Sequence, residues 1–424
     1  LEPAHKDYML WELVFRRGTR EQTLTNLGAP ATRAEAGPSP GGGQRAFMAW
    51  EGVRHWREDN AVSVRVTVDL PADDGVAQWR ITVENNSDFW GLWEVRFPYF
   101  THALAPGQYD LAYASNNWGF LIKGVAKEMT PRCAYPSYDW AMPFICLTRG
   151  SSSVYLGAHD PQVWTKTYLV SPGDKCYVST YVEDMAEPGS DYPGHYPVAA
   201  GVYQGDWLAG CKRYRRWVLG QPWTRKGPLS QRDDVPLSIK EVALWVREVW
   251  AFDNPQTDPH KLNEALLEAK DYYGVPLGVH WYLWHHNRFD TDYPFYFPAR
   301  PGFERRVAEL VAAGILVMPY INTVIADYDH PDYREKLWPH AAKDQVSTPY
   351  VNIYGTESGR MTEMCAFTEG WHRQIVEVVE RLTGECGVNA VYLDLLAANP
   401  PSLCFDRSHG HRLGGGGWWW QGTR

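Results

Sequence analysis

No run of eighteen consecutive apolar residues occurs in the 424-residue chain, which excludes a membrane-spanning helix. No Lys/Arg cluster stands out, and 41 basic residues against 50 acidic ones leave a formal net charge of −9, a balance that argues against a nucleic-acid-binding surface. The seven cysteines are odd in number, widely spaced and free of any CxxC pair. That excludes a zinc ribbon and a disulfide-dense scaffold, and it leaves the redox compartment open. Neither GxGxxG nor a P-loop follows any strand-like segment, so the nucleotide-binding fingerprints of open α/β sheets are missing. The chain begins at Leu1 rather than Met, and localisation stays open, secretion and the periplasm included.

What is present in excess is aromatic. The sequence holds 21 Trp and 25 Tyr. Flat apolar rings fill cores, and they also suit the C–H faces of sugars, with N–H and O–H groups left to bond hydroxyls. The length allows two or more domains with full cores, and 44% hydrophobic with 21% charged residues is ordinary for a folded chain.

Up to about residue 205 the pattern is that of strands. "VSVRVTVDL" alternates strictly over 62–70, "PADDG" turns, and "QWRITVEN" resumes at 78, which predicts a hairpin. "LWEVRFPYF", "FICLTRGSSSVYLGAHD" and "KCYVSTYVED" continue the alternation, while "RAEAGPSPGGGQR" reads as a flexible excursion. "GDWLAGCKRYRRWVLG" then changes to helical spacing, with Asp206 as N-cap. These features predict an antiparallel β-sandwich over 1–220, closed by a helix, and a polar, proline-spiced linker over 221–240.

From 241 to 424 strand and helix alternate, from "EVALWVREVW" to "VNAVYLD", with nearly continuous apolar strands. This predicts a parallel sheet covered by helices. Long connections leave the strands, at 285–301 and 323–369, and short ones leave the helices. That asymmetry fits a TIM (β/α)8 barrel with an elaborated active face. Four βα units make the first half of such a barrel, so the expected fold is multidomain, β then α/β, and a fragment.

Barrel chemistry comes from the C-terminal ends of strands. Those ends hold Arg247, Glu248 and Trp250, then Trp281, Trp284, His285, His286 and Asp292, then Tyr320 and Asn322 with Asp327 beyond, and finally Asp394. Pro400 and Pro401 prevent a helix from starting promptly after Asp394, so a capping role does not account for it. Asp406, His409 and His411 follow in a D-x-x-H-x-H spacing open to a metal, to sugar hydroxyls or to loop structure, ahead of four glycines and Trp418.

The segments "FDTDYPFYFPARPGF", "VMPYIN", "MTEMCAFTEGWHRQIVEVVERL" and "GVNAVYLDLLAANPPSLCFDRSHGHRLGGGGWWW" resemble a bacterial, glycoside-hydrolase-like family described as domain of unknown function 6259. The resemblance covers roughly 240–424 well and the preceding sandwich more loosely. More distantly, a sandwich followed by a barrel with "YLD" at strand four is similar to glycoside hydrolase families 31, 36 and 101. Those retaining enzymes carry the nucleophile on strand four and the acid/base on strand six. Carried over, the resemblance makes Asp394 the nucleophile and gives the acid/base no counterpart before Arg424. The chain departs from the family at Thr323, Val324 and Ala326, where Gly-Arg and a nearby Trp are usual, and at Leu395, where Gln is usual.

The expected function is therefore retaining hydrolysis of α-linked oligo- or polysaccharides, with no metal or organic cofactor. Arg247, Trp281, Trp284, His285, Tyr320, Asn322, Asp406, His409, His411 and Trp418 are the expected substrate contacts. Asp394 should be kept ionised by donors or a cation, Arg247 and His285 being placed for it. Should residues 1–424 prove active on their own, the acid/base is to be sought among Glu248, Asp292, Asp327 and Asp406. The rival readings are a non-catalytic carbohydrate-binding protein on a degenerate barrel, and a metal-dependent hydrolase or lyase using Asp406, His409 and His411.

Overall fold

The computed structural model describes residues 8–39, 41–101, 105–115, 118–126, 132–171, 174–248, 259–354 and 359–423. The chain divides into two compact units, Leu1–Arg225 with Ala398–Arg424, and Lys226–Ala397.

The first unit is built on two antiparallel sheets. One has six strands in the order Arg132–Tyr135, Lys166–Ser171, Lys175–Tyr181, Gly91–Thr101, Glu12–Arg17 and Arg20–Thr25. The other has nine, from Arg33–Pro38 at one edge through Gln44–His55, Glu58–Leu70, Val76–Asn85, Val198–Gln204, Ser152–Ala158, Phe144–Arg149 and Asp110–Tyr113 to Phe120–Ile122. The period-2 alternation of 62–70 does what it predicts: Val62, Val64 and Val66 point inward and are fully buried, in one apolar core with Leu13, Phe15 and Leu92 from the other sheet. The expected excursion at 33–45 is instead partly strand. Arg33–Pro38 pairs with Gln44–His55 as an edge hairpin turned by glycines, a pairing that satisfies its backbone where local composition offered no apolar signal. Asp206 caps the helix Trp207–Val218 as expected, its side chain accepting from the backbone N–H groups of Leu208 and Ala209.

Residues 398–424 were expected to belong with the barrel, but they complete the first unit. Phe405 stacks on Trp93 at 5.6 Å, Arg412 and Arg407 pair with Asp184 and Glu187, and Thr165 N–H donates to Gly416 O. The glycines make this possible. A Cβ on Gly414 would sit 2.5 Å from Met185 Sδ, and one on Gly415 would sit 2.6 Å from Tyr181 Cβ. Only a chain without side chains lies this flat on the 181–185 backbone. The physical reason for the corrected boundary is thus close backbone packing at long sequence range.

The second unit contains a four-stranded parallel sheet in consecutive order: β1 (Leu244–Glu248), β2 (Leu277–Trp281), β3 (Leu316–Asn322) and β4 (Tyr392–Asp394). The connecting helices are α1 (Pro259–Tyr273), α2 (Phe303–Ala312) and α3 (Glu369–Gly384). Gly274 and Gly314, both at positive φ, follow α1 and α2 where the pattern stopped them. The long connection after β3 is not structureless. It builds a three-stranded antiparallel sheet from Ile325–Asp327, Gly359–Glu363 and Val351–Tyr354.

Candidate active site

Strand parity decides what faces where. On β2, Leu277, Val279 and Trp281 are buried, and Trp281 packs edge-on against Phe303 of α2 at 5.1 Å. Residues of opposite parity, His280 and Tyr282, are half-buried. Trp245 and Arg247 of β1, Tyr320 of β3 and Tyr392 and Asp394 of β4 share that second face. Gly278 lies there too, and a Cβ on it would meet the Trp245 ring at 2.6 Å.

Asp394 ends β4 in register with Asn322. Tyr320 Oη donates to its carboxylate at 3.1 Å, and Asn322 Nδ2 in turn donates to Tyr320 Oη at 3.3 Å. Thr323 Oγ1 holds the Asp394 carbonyl at 2.8 Å. Around the carboxylate lies an aromatic wall: Tyr282 stacks on Tyr320 at 4.9 Å, Phe289 lies 5.5 Å from Tyr320, and Tyr392 lies 4.3 Å from His280. Burial pushes the Asp394 pKa above its ordinary value, and the hydrogen bonds from Tyr320, Leu395 and Tyr392 only partly offset that. Neither cation expected beside it accounts for its state. Arg247 is exposed, with its guanidinium 5.7 Å from the centre of the Tyr282 ring, and His285 is buried and pushed down to about 3, hence neutral.

A second carboxyl shares this environment. Asp290 is buried in the loop after β2, and its pKa is pushed up to about 6 by that burial and by the negative charge of Asp394, against a hydrogen bond with Tyr293. Tyr296, Tyr320 and Tyr354 each feel the charges of both carboxylates. Backbone strain gathers at the same two points. Asp290 and Asp292 have φ of 59° and Leu395 has φ of 62°, left-handed values that cost a non-glycine residue about 1 kcal/mol or more.

The structure thus brings Tyr320, Asn322 and Arg247 to the face that carries Asp394, with different parts from those expected. Tyr320 and Asn322 are buried supports, since Asn322 Oδ1 also accepts from Val324 and Ile325 and turns the chain out of β3. Trp281, Trp284 and His285 do not line the site. All three are fully buried, Trp284 Nε1 donates to Tyr320 O at 2.7 Å, and His285 packs on Tyr293 and Tyr296. The error is one of parity, with indole and imidazole packed toward α2 and the loop core. Trp250 lies outside the described residues.

The reserve acid/base candidates are committed elsewhere. Glu248 is buried with its charge felt by Arg306, Asp292 Oδ2 accepts from Thr291 Oγ1 at 3.3 Å, Asp327 accepts from the Asp292 and Asp329 backbones, and Asp406 caps the short helix Arg407–His409. Asp406, His409, His411 and Trp418 all lie in the first unit. His409 and Trp418 are buried, and His411 stacks on Trp418 at 3.9 Å, so these rings are closed to a glycan. Asp290, His280, Tyr282 and Tyr392 are the residues sequence reasoning missed. For the last three, the apolar 277/279/281 alternation was the available signal.

One curated relative, "Putative glycoside hydrolase" of Bacteroides thetaiotaomicron, is 25% identical over 366 residues, 83% of this chain and 51% of that protein. Another, "Putative glycoside hydrolase 22789" of Monosiga brevicollis, is 28% identical over 361 residues, 76% of this chain and 29% of that protein. The chain therefore spans about half of one relative and under a third of the other. Among solved structures, the α-N-acetylgalactosaminidase NagBb of Bifidobacterium bifidum in complex with GalNAc matches 96% of this chain and 67% of its own, with a TM-score of 0.68 at 14% identity. A GH31 family sulfoquinovosidase from E. rectale matches 97% of this chain and 58% of its own, with a TM-score of 0.53 at 11% identity. At such identities the likeness is one of fold. The family model described as Domain of unknown function (DUF6259) matches residues 192–424, more than half of the chain, and the chain belongs to that family.

Proposed function

We propose that this chain carries the sandwich and the nucleophile-bearing half-barrel of a retaining glycoside hydrolase acting on α-linked glycans. The observation that carries the reading is Asp394, a carboxylate at the C-terminal end of the fourth parallel strand, walled by half-buried aromatics and facing the field of a second buried carboxyl. The names of the two curated relatives and the sandwich-and-sheet fold shared with NagBb support it.

In this reading Asp394 attacks the anomeric carbon to give a glycosyl-enzyme, and Tyr320 Oη orients the attacking oxygen. Tyr282, Phe289 and Tyr392 offer faces to the sugar ring. Asp290 accepts hydrogen bonds from glycone hydroxyls, and substrate hydroxyls replace the solvation that burial has removed. The leaving oxygen takes its proton from a carboxyl on a sixth strand, which the longer relatives have the length to supply. No metal enters the chemistry.

Asp394→Asn, in the protein that carries this chain, should lower kcat on the order of 10⁴-fold while leaving glycan binding in place. The product anomer of the wild-type reaction, followed by NMR, should be that of the substrate. Net inversion, or near-normal turnover by the variant, would remove the assignment. Asp290→Asn should raise KM more than it lowers kcat, and an activated aryl leaving group should not rescue it.

A further inference from the structure

The first unit has a cavity of its own, which the reading of Asp394 does not use. It arises because one short helix, Trp207–Val218, covers only part of the nine-stranded sheet. Cys146, Ala112 and Leu121 are cross-strand partners in register, so they form one row on one face. Cys146 lies directly beneath the helix, where a Cβ on Gly210 would collide with its Sγ. Exposure then rises along the row, from 0% at Cys146 to 7% at Ala112 and 40% at Leu121. The sheet runs out from under the helix, and the wedge left between them is a cavity of about 520 Å³. That volume is in the range of small-molecule sites.

Three features of the wall specify an occupant. Its faces are rings, with buried Phe144 stacked on Tyr214 at 4.6 Å and with exposed Trp118, Phe120 and Trp207. Two hydroxyls also line it, on Ser115 and Tyr214, residues only 5% and 8% exposed. Neither hydroxyl has a hydrogen-bond partner among the described residues. Buried hydroxyls are ordinarily paired, so both call for a polar group on the occupant. The third feature is charge. The helix carries Lys212, Arg213, Arg215 and Arg216 and no acidic residue. Arg213 pairs with Asp74, whereas Arg215, on the cavity wall, is in no salt bridge among the described residues.

A saccharide needs a donor or acceptor for nearly every hydroxyl, and two hydroxyls with one guanidinium fall short of that. A flat apolar body with a single acid group matches the wall better. We propose that this cavity binds a small aromatic carboxylate. Its ring lies against Trp118, Phe120 and Trp207, its carboxylate is held by Arg215, and the hydroxyls of Ser115 and Tyr214 are further donors.

The test is calorimetric titration of the full chain with 2-naphthoate, with 2-naphthalenemethanol as the neutral counterpart. Naphthoate should bind at a single site, about tenfold more tightly than the alcohol. Arg215→Gln should erase that difference by weakening naphthoate alone, and Trp118→Ala should weaken both ligands. Both side chains are exposed, so neither variant threatens the fold. Tyr214→Phe keeps the stack on Phe144 and should weaken naphthoate several-fold. Position is read separately from Cys211, a partly buried free thiol on the wall. Bound naphthoate should slow its alkylation by iodoacetamide several-fold, followed by peptide mass spectrometry. No saturable binding, or binding that neither Arg215→Gln nor Trp118→Ala weakens, overturns the site. Equal affinity for acid and alcohol overturns the anion assignment. Displacement of naphthoate by maltose would give the cavity to glycans, and displacement by anionic phospholipid vesicles alone would give it to a membrane surface; either result overturns the proposal.

Discussion

The first unit buries a carboxylate against a cation, and the second sets two carboxyls near its strand ends against neutral donors. In the sandwich, Lys166 and Asp160 are both fully buried and 2.7 Å apart. Asp160 also accepts from the backbones of Gln162 and Trp164, and the ammonium lies 4.6 and 4.7 Å from the rings of Tyr135 and Tyr196. Both carboxylate oxygens are used within the fold, and the ammonium also donates to Trp164 O. In the second unit Asp394 and Asp290 have neutral hydrogen-bond donors and no cation among the causes that set their pKa values, and both are raised. A paired buried charge is part of a core. Two like charges, desolvated at a strand end and in the loop after β2, cost stability, and such a cost supports the proposed site.

The contrast can be broken from either side. The largest effect on folding is expected at Asp160→Asn, which leaves the Lys166 ammonium buried without its counter-charge. The sandwich should lose about 3–5 kcal/mol, read from the denaturant midpoint of the first unit. The same chemical change at Asp394 should leave the midpoint unchanged or raised, and a comparable loss there would contradict the reading of Asp394 as a functional charge.

A smaller effect is expected at Asp290. Its pKa rises from an ordinary 3.8 to about 6 on folding, so the folded state holds the proton more tightly than the unfolded chain. The associated stability is full below pH 3.8 and is lost as pH rises through about 6. Asp290→Asn should remove that slope, worth on the order of 2 kcal/mol between pH 4 and 7, in denaturation midpoints measured at the two pH values. An unchanged slope would place the titration elsewhere. The smallest effect belongs to Tyr320→Phe. Losing the Oη donor removes the largest of the hydrogen bonds that lower the Asp394 pKa, so the acid limb of kcat/KM should move up. A downward move would contradict the hydrogen bond's assigned sign.

Much of this architecture was legible because it is periodic. The alternation at 62–70, the apolar helix faces and the Gly274 and Gly314 stops are local signals, and each element appeared where its period put it. Asp394 was singled out for a similar reason, since an apolar strand ending in a carboxylate needs an explanation, but the strand expected to be buried leaves Tyr392 and Leu393 exposed. Parity was legible in kind but not in direction. The same alternation that exposes His280 and Tyr282 buries Trp281, and residue type alone favoured the indole for a sugar site. Asp290 stood in an aperiodic loop where no local rule distinguishes it from Asp292. The docking of 398–416 on 181–187 was hidden altogether, because it depends on two backbones more than two hundred residues apart approaching within glycine distance.

That docking bears on how the protein is made. The sandwich is discontinuous in the chain, so when the ribosome has finished Arg225 the 181–187 segment still lacks the strip that covers it. Roughly 170 residues of the second unit must be synthesised before Ala398 appears, an interval of roughly 10–35 s at ordinary elongation rates. During that interval Trp93 and Met185 lack the Phe405 ring and the glycine strip that pack on them in the finished fold.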